Sequence, residues 1–474
     1  MLFFVALFVL GCLSAFVFTK FKPVLALLAS YLFSILVFPS QVKILSFSPS
    51  TIFSYMLFGI SVCLAVKDNL YSEKNNKKIL SIILIYVCSF FFLLPFGSKM
   101  TLIDQIPALK MFVLGVFPFI FFLLLMKKSS DFETIFKYIV VVALFVFAYG
   151  IFAYSINQNP YLVFVDIVYS GVAALERMLD ESRGGLEGRL GGTIGNPVFY
   201  AGLLLILFYN FFALYLGLGK KQKVWRFIIV LSLIGLLINL FLTGSRSSLV
   251  ALLFGFGIFC LKWMSQRRLA IISAVLISVF VISAYLPIFG KYQVYVNSIV
   301  YFWDDSKSEG EIKGSSVEMR LNQLDGLANV VGAEGAIFGL GAGWIQKYIS
   351  ENGMHPVLLG FESLLFSGIT QYGIIGFILL YILLFVAMFH LCWMFYRRGN
   401  LKGLEFRFIV CYLTSYMIYA FMTGPFFWEF FLCSYVIILK YFLDKNREKS
   451  LLLKKLYLIC QLKNNSVPNA DSSI

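Results

Sequence analysis

Apolar runs recur along nearly the whole chain, near 2–19, 23–39, 50–66, 79–96, 107–126, 136–156, 195–218, 227–243, 247–263, 269–289, 362–396, 405–423 and 426–442. About 20 apolar residues at ~1.5 Å rise cross the hydrocarbon core of a bilayer, so this pattern predicts an all-α, polytopic integral membrane bundle of about 12 or 13 transmembrane helices. The count turns on the first pair of runs, which only residues 19–22 separate. The alternating signal of a membrane β-barrel is absent.

Between the runs, basic clusters fall on one side: Lys20 and Lys22; Lys67, Lys74, Lys77 and Lys78; Lys127 and Lys128; Lys220, Lys221, Lys223 and Arg226; Arg267 and Arg268; Arg397, Arg398 and Lys402; then the tail from Lys445. The positive-inside rule makes that side cytoplasmic and leaves the N-terminus outside. The opposite side carries two long connections that mix apolar anchors with charges, and function is expected there. The expected organisation is membrane helices over 1–289 with a first outward loop near 156–195, a large outward loop with short helices at 290–361, C-terminal membrane helices over 362–443 and a basic cytoplasmic tail at 444–474. Within the large loop, Arg320, Leu324, Leu327 and Val331 lie at helical spacing, which predicts an amphipathic helix packed on the membrane domain.

Composition narrows the class. The 474 residues are 60% hydrophobic and only 13% charged, which excludes a soluble globular protein. The net charge of +15 resides in the interhelical clusters, so it is a topology signal and no nucleic-acid partner is expected. The first run lacks a basic leader and a clear cleavage site and reads as a retained helix. The eight cysteines sit mostly inside apolar runs, and the only histidines are His355 and His390. No disulfide framework, metal site or cofactor is expected.

Three arginines escape the one-sided bias: Arg189 in Gly-Arg-Leu-Gly-Gly-Thr-Ile-Gly-Asn-Pro, Arg246 in Leu-Thr-Gly-Ser-Arg-Ser-Ser, and Arg320 in Val-Glu-Met-Arg-Leu. A guanidinium at the outer end of a membrane helix must be partnered or solvated, and its planar fork of donors suits a diphosphate. For each alone, a snorkelling anchor or an ion pair with Glu187, Glu318 or Asp325 is the alternative. The glycines around Arg189 give a permissive backbone that leads into a helix N-terminus, a favourable place for an anion. Across 362–376, helical spacing puts Glu362, Phe366, Ile369, Gly373 and Gly376 on one stripe, so a carboxylate would share a face with small residues that admit another helix. An intramembrane carboxylate is a candidate general base. His355, Asn196 and Ser245 are candidate glycan contacts, while Gly339-Leu-Gly-Ala-Gly343 reads as a tight turn.

Jointly, and in this order, Arg189 with Gly-Asn-Pro at 195–197, Thr243-Gly-Ser-Arg246, Arg320 followed by the glycines at 339–343, and Tyr372-Gly-Ile-Ile-Gly376 resemble the O-antigen polymerase (Wzy) and O-antigen ligase superfamily of bacterial envelope glycan assembly. The resemblance implies metal-independent glycosyl transfer from an undecaprenyl-diphosphate-linked oligosaccharide. The site would lie on the periplasmic side of the bacterial cytoplasmic membrane, with Arg189, Arg246 and Arg320 holding the diphosphate. About eleven residues before the Gly-x-x-Gly, ligases typically carry a histidine as candidate base. Glu362 stands at that place, which looks more like the polymerase branch. The partners implied are the lipid-linked oligosaccharide and membrane lipid, with a chain-length regulator protein left open. Two rivals stand beside the polymerase: a ligase that passes the glycan to lipid A core or protein, and a flippase of lipid-linked sugars. A flippase would place its ionisable groups near the midplane in matched halves, which the sequence does not show.

Overall fold

The computed structural model describes residues 2–39, 41–44, 46–67, 74–126, 128–169, 189–219, 221–263, 317–358 and 360–465. The expected span at 269–289, the connection from 290 to 316 with its Asp304-Asp305 pair, Arg267, Arg268, Gly184, Gly185, Glu187 and Gly188 lie outside the described residues. The described chain is helical without a strand, and seven of its helices are long and apolar enough to cross a membrane. In chain order the helices are α1 (Leu2–Phe18), α2 (Pro23–Val37), α3 (Pro49–Lys67), α4 (Lys74–Leu93), α5 (Ile106–Leu125), α6 (Ser129–Ser155), α7 (Pro160–Val168) and α8 (Pro197–Gly217). They continue as α9 (Lys223–Leu242), α10 (Arg246–Trp263), α11 (Val317–Gly335), α12 (Trp344–Asn352), α13 (Leu364–Phe377), α14 (Leu383–Arg397), α15 (Gly403–Thr423) and α16 (Trp428–Asn465).

The first two runs are separate helices. Lys20 and Phe21 take positive φ, Pro23 opens α2, and α1 packs back against it. Helix α8 is apolar on every side, as a helix surrounded by others must be, and it forms the axis of the bundle. Hydroxyls and amides tie its neighbours to it. Asn210 Nδ2 donates to Ser434 Oγ at 2.7 Å, Tyr412 OH reaches the same hydroxyl at 2.8 Å, and Tyr419 OH donates to Val198 O at 2.9 Å. Without water to compete, such bonds fix which helices meet, at roughly 0.6–2 kcal/mol each. Glycines permit the approach: a Cβ at Gly202 would collide with Tyr419, and one at Gly255 with Ser415.

Loops collect at two ends. At one end Lys22 pairs with Asp131 at 3.1 Å, Ser129 Oγ donates to Glu448, and Asn446 binds Asn400 O, so much of the basic sequence gathers there. At the other, Thr193 Oγ1 donates to Leu36 O, Ser98 Oγ to Gly339 O and Ser363 Oγ to Phe421 O. The second end, called here the loop end, holds every described site residue expected from the sequence.

The amphipathic helix of the large loop is present as α11, but its buried stripe is Gln323, Leu327 and Val331, while Leu324 is exposed. That stripe joins Ile345 of α12, Leu358, Phe361 and Phe366 of α13 in a small second core. The single helix expected at 362–396 is divided. Gly373 (φ 65°, ψ −173°) breaks α13, and a π-helical turn at Ile378–Ile382 leads into α14.

Candidate active site

The break in α13 builds the loop end. A backbone interrupted inside a membrane bundle must find new partners for its amides and carbonyls. The glycine segment 339–343 supplies them: Leu340 N donates to Thr370 O at 2.8 Å and Gly341 N to Gln371 O at 3.0 Å, while Ile374 N and Ile375 N donate to Ala336 O and Ile337 O. Gly339 and Gly341 have φ of 79° and 120°. A Cβ at Gly339 would meet the Gln371 backbone, one at Gly373 the Ile337 backbone, and one at Gly341 the Met100 side chain. The glycines therefore form a strap laced through a broken helix, which is more than the tight turn read from the sequence. Buried Gln105 finishes the lacing, donating to Leu94 O at 2.8 Å and accepting from Ala342 N at 3.1 Å.

The arginine turn is built from a second set of hydrogen bonds. Leu190 N donates to Leu242 O at 2.8 Å and Arg189 Nε to Thr243 O at 3.2 Å, so the segment around Arg189 is bonded along the turn that ends α9. Gly244 (φ 63°) carries the chain past the Arg189 side chain, and Arg246 opens α10. The next residue, Ser247, accepts a hydrogen bond from Thr423 at the end of α15. Two residues earlier, Phe421 O accepts from Ser363 Oγ at 2.8 Å. Ser363 caps α13 by accepting from Leu365 N and directly follows Glu362. One continuous set of contacts thus runs from Arg189 through the Arg246 turn and the end of α15 to Glu362.

Glu362 differs from the expected placement. The N-cap is Ser363, so Glu362 precedes the helix and is exposed, and the break at Gly373 interrupts the proposed stripe. Spacing alone extends the helix to Glu362, because Ser363 looks like a helical residue when capping is ignored. Phe361, buried and with φ of 56°, turns the chain just before it. A non-glycine residue rarely adopts that conformation, and the packed second core holds it there.

Residues 231–381 match the family model Wzy_C, described as O-Antigen ligase. That segment is similar to the O-antigen ligase family. A search of curated proteins gives no match. The matched segment contains Arg246, Arg320, the strap and Glu362, whereas Arg189 is brought to it from outside by the hydrogen bonds just described.

The remaining expected residues take several positions. Arg320 lies in the first turn of α11, with its side chain outside the described residues. Asn196 caps α8, its Oδ1 accepting from Val198 N and Phe199 N at 2.9 and 3.2 Å. Ser245 is buried within the arginine turn, its amide donating to Thr243 Oγ1. His355 Nδ1 accepts from Val357 N and Leu358 N at 3.1 and 3.0 Å, and its ring sits among Tyr348 and Phe361, so one nitrogen is committed to folding the turn.

On the other side of α13 lies a cavity of about 790 Å³. Its rim carries Asp104, paired with Lys347 at 3.2 Å, and Glu429 from the first turn of α16 lines it as well. Sequence reasoning passed over Glu429, although a single carboxylate in an apolar run is a signal in itself. It shares the cavity wall with Tyr86, Tyr372 and Tyr381, from three different elements, and no local motif announces that meeting.

Proposed function

We propose that the protein is a membrane glycosyltransferase that polymerises undecaprenyl-diphosphate-linked oligosaccharide repeat units on the periplasmic face of a bacterial cytoplasmic membrane. Arg189, Arg246 and Arg320 hold the donor diphosphate, and Glu362 is the general base. A hydroxyl of the incoming unit attacks the anomeric carbon of the growing chain. The bond from that carbon to the diphosphate oxygen breaks, the electron pair leaves with the lipid diphosphate, and the hydroxyl proton passes to Glu362. The arginines counter the charge that develops on the leaving group, and no metal is needed for that. His355 would reach a glycan only through Nε2.

The observation that carries this reading is the contact path from Arg189 through the Arg246 turn to the cap that presents Glu362. Transfer to lipid A core or protein is the second reading, favoured by the similarity of residues 231–381 to the O-Antigen ligase family. The surface-glycan profile of a deletion strain separates the two. If complementation restores a length ladder and the strain without the gene carries a single repeat on its core, the protein polymerises. If that strain keeps long glycan on its lipid carrier and lacks only the attachment, the protein is a ligase.

A further inference from the structure

We propose that the cavity on the far side of α13 is a saccharide-binding site, with Glu429 as its hydrogen-bond acceptor. The inference rests on the transferase reading for its biological sense and on the cavity for its chemistry. The space, about 790 Å³, is large enough for a short oligosaccharide. Its walls include the rings of Phe90, Tyr372, Tyr381 and Trp428, flat surfaces for the apolar faces of sugars, and Gln371 adds an amide. Gln346, Lys347 and Ser350 of α12 are exposed and mark its mouth at the loop end.

Glu429 lies against Gly115, where a Cβ would collide with its Cγ. Gly115 is nine residues into α5, roughly 13 Å along that helix at ~1.5 Å per residue, so the carboxylate stands well inside the bundle. Among the described residues no other side chain is hydrogen-bonded to it. A carboxylate held this way is costly unless a ligand supplies donors. Sugar hydroxyls supply them. A diphosphate does not, since its oxygens only accept at neutral pH, and the rim cation Lys347 is already paired with Asp104. The anion therefore belongs at the arginine turn and the polyol here. Both compartments draw on α13 and on the segment from Phe421 to Glu429.

The test uses purified full-length protein in detergent and the strain's own repeat oligosaccharide, released from its lipid carrier by mild acid and so lacking diphosphate. Saturable binding is expected for wild type and for Arg246→Ala. At least a tenfold loss is expected for Glu429→Gln, which keeps the volume, and for Gln346→Trp, which narrows the mouth from an exposed position. Unchanged binding in both of the last two variants, no binding by wild type, or loss in Arg246→Ala alone would overturn the proposal. Binding that depends on Glu429, in a protein that forms no glycosidic bond, would keep the saccharide site and remove the transferase reading.

Discussion

The two sides of α13 are built from the same parts and give opposite electrostatics. On one side, the turn at 243–246 and the Ser363 cap bring Arg189, Arg246 and Glu362 to the loop end through backbone hydrogen bonds. On the other, Glu429 faces a cavity lined with aromatic rings, with Asp104 paired to Lys347 at its rim. Each acid follows a phenylalanine with positive φ, Phe361 before Glu362 and Phe427 before the Trp428-Glu429 pair. A left-handed non-glycine residue costs about 1–2 kcal/mol, so in both places packing holds a charged side chain where local preference would not. The difference lies in what surrounds the acid. Cations and an exposed carboxylate on one path of contacts suit an anionic donor and a proton acceptor, whereas a shielded carboxyl group among rings suits an uncharged polyol.

The variants that separate the two sides most strongly are at the arginine turn. Glu362→Gln should lower the rate of chain lengthening by about 10²–10⁴-fold, the usual contribution of a positioned base, with protein level unchanged. Arg246→Ala should cost about 10²–10³-fold by removing a charge that stabilises the leaving group. Quantified ladders, with membrane expression checked for each variant, read both. A partition element should behave otherwise. Gly373→Ala forces a Cβ onto the Ile337 backbone at a φ of 65° and should destabilise the bundle by about 1–3 kcal/mol or more, seen as a lower unfolding temperature before any selective loss of activity.

Smaller effects sharpen the contrast. His355→Ala removes an acceptor for two backbone amides and should cost about 1 kcal/mol of stability while leaving a ladder. Asp104 gives the mildest signal. Hydrogen bonds from Thr101, then Lys347, hold its carboxyl below the ordinary value. A depressed carboxylate stabilises the fold above its unfolded value, and that stabilisation is lost as pH falls through the depressed one. The unfolding temperatures of wild type and Asp104→Asn should therefore differ slightly at neutral pH and converge in acid.

How much of this was legible follows from where the information lies. Helices and ends were, because hydrophobic run length and basic clusters are local. Arg189 and Arg246 stood out because each sits in a short glycine-containing motif, and hydrogen bonds join those motifs across 54 residues. The position of Glu362 was misjudged by one capping residue, and Leu324 by one place around α11, since spacing alone does not say where a helix begins or which stripe meets a neighbour. The break in α13 needed the strap, which is distant in sequence. Glu429 was invisible as a site because Gly115 and the tyrosines around it come from other helices, and only packing brings them together.

The central claim is that the arginine turn and Glu362 make a glycosidic bond. Protein reconstituted in vesicles without a transmembrane gradient and supplied with one undecaprenyl-diphosphate-linked repeat tests it most directly, with chain length read by mass spectrometry. The account predicts longer lipid-linked glycans with wild type and none above background with Arg246→Ala or Glu362→Gln. Lengthening at the wild-type rate by either variant would contradict it.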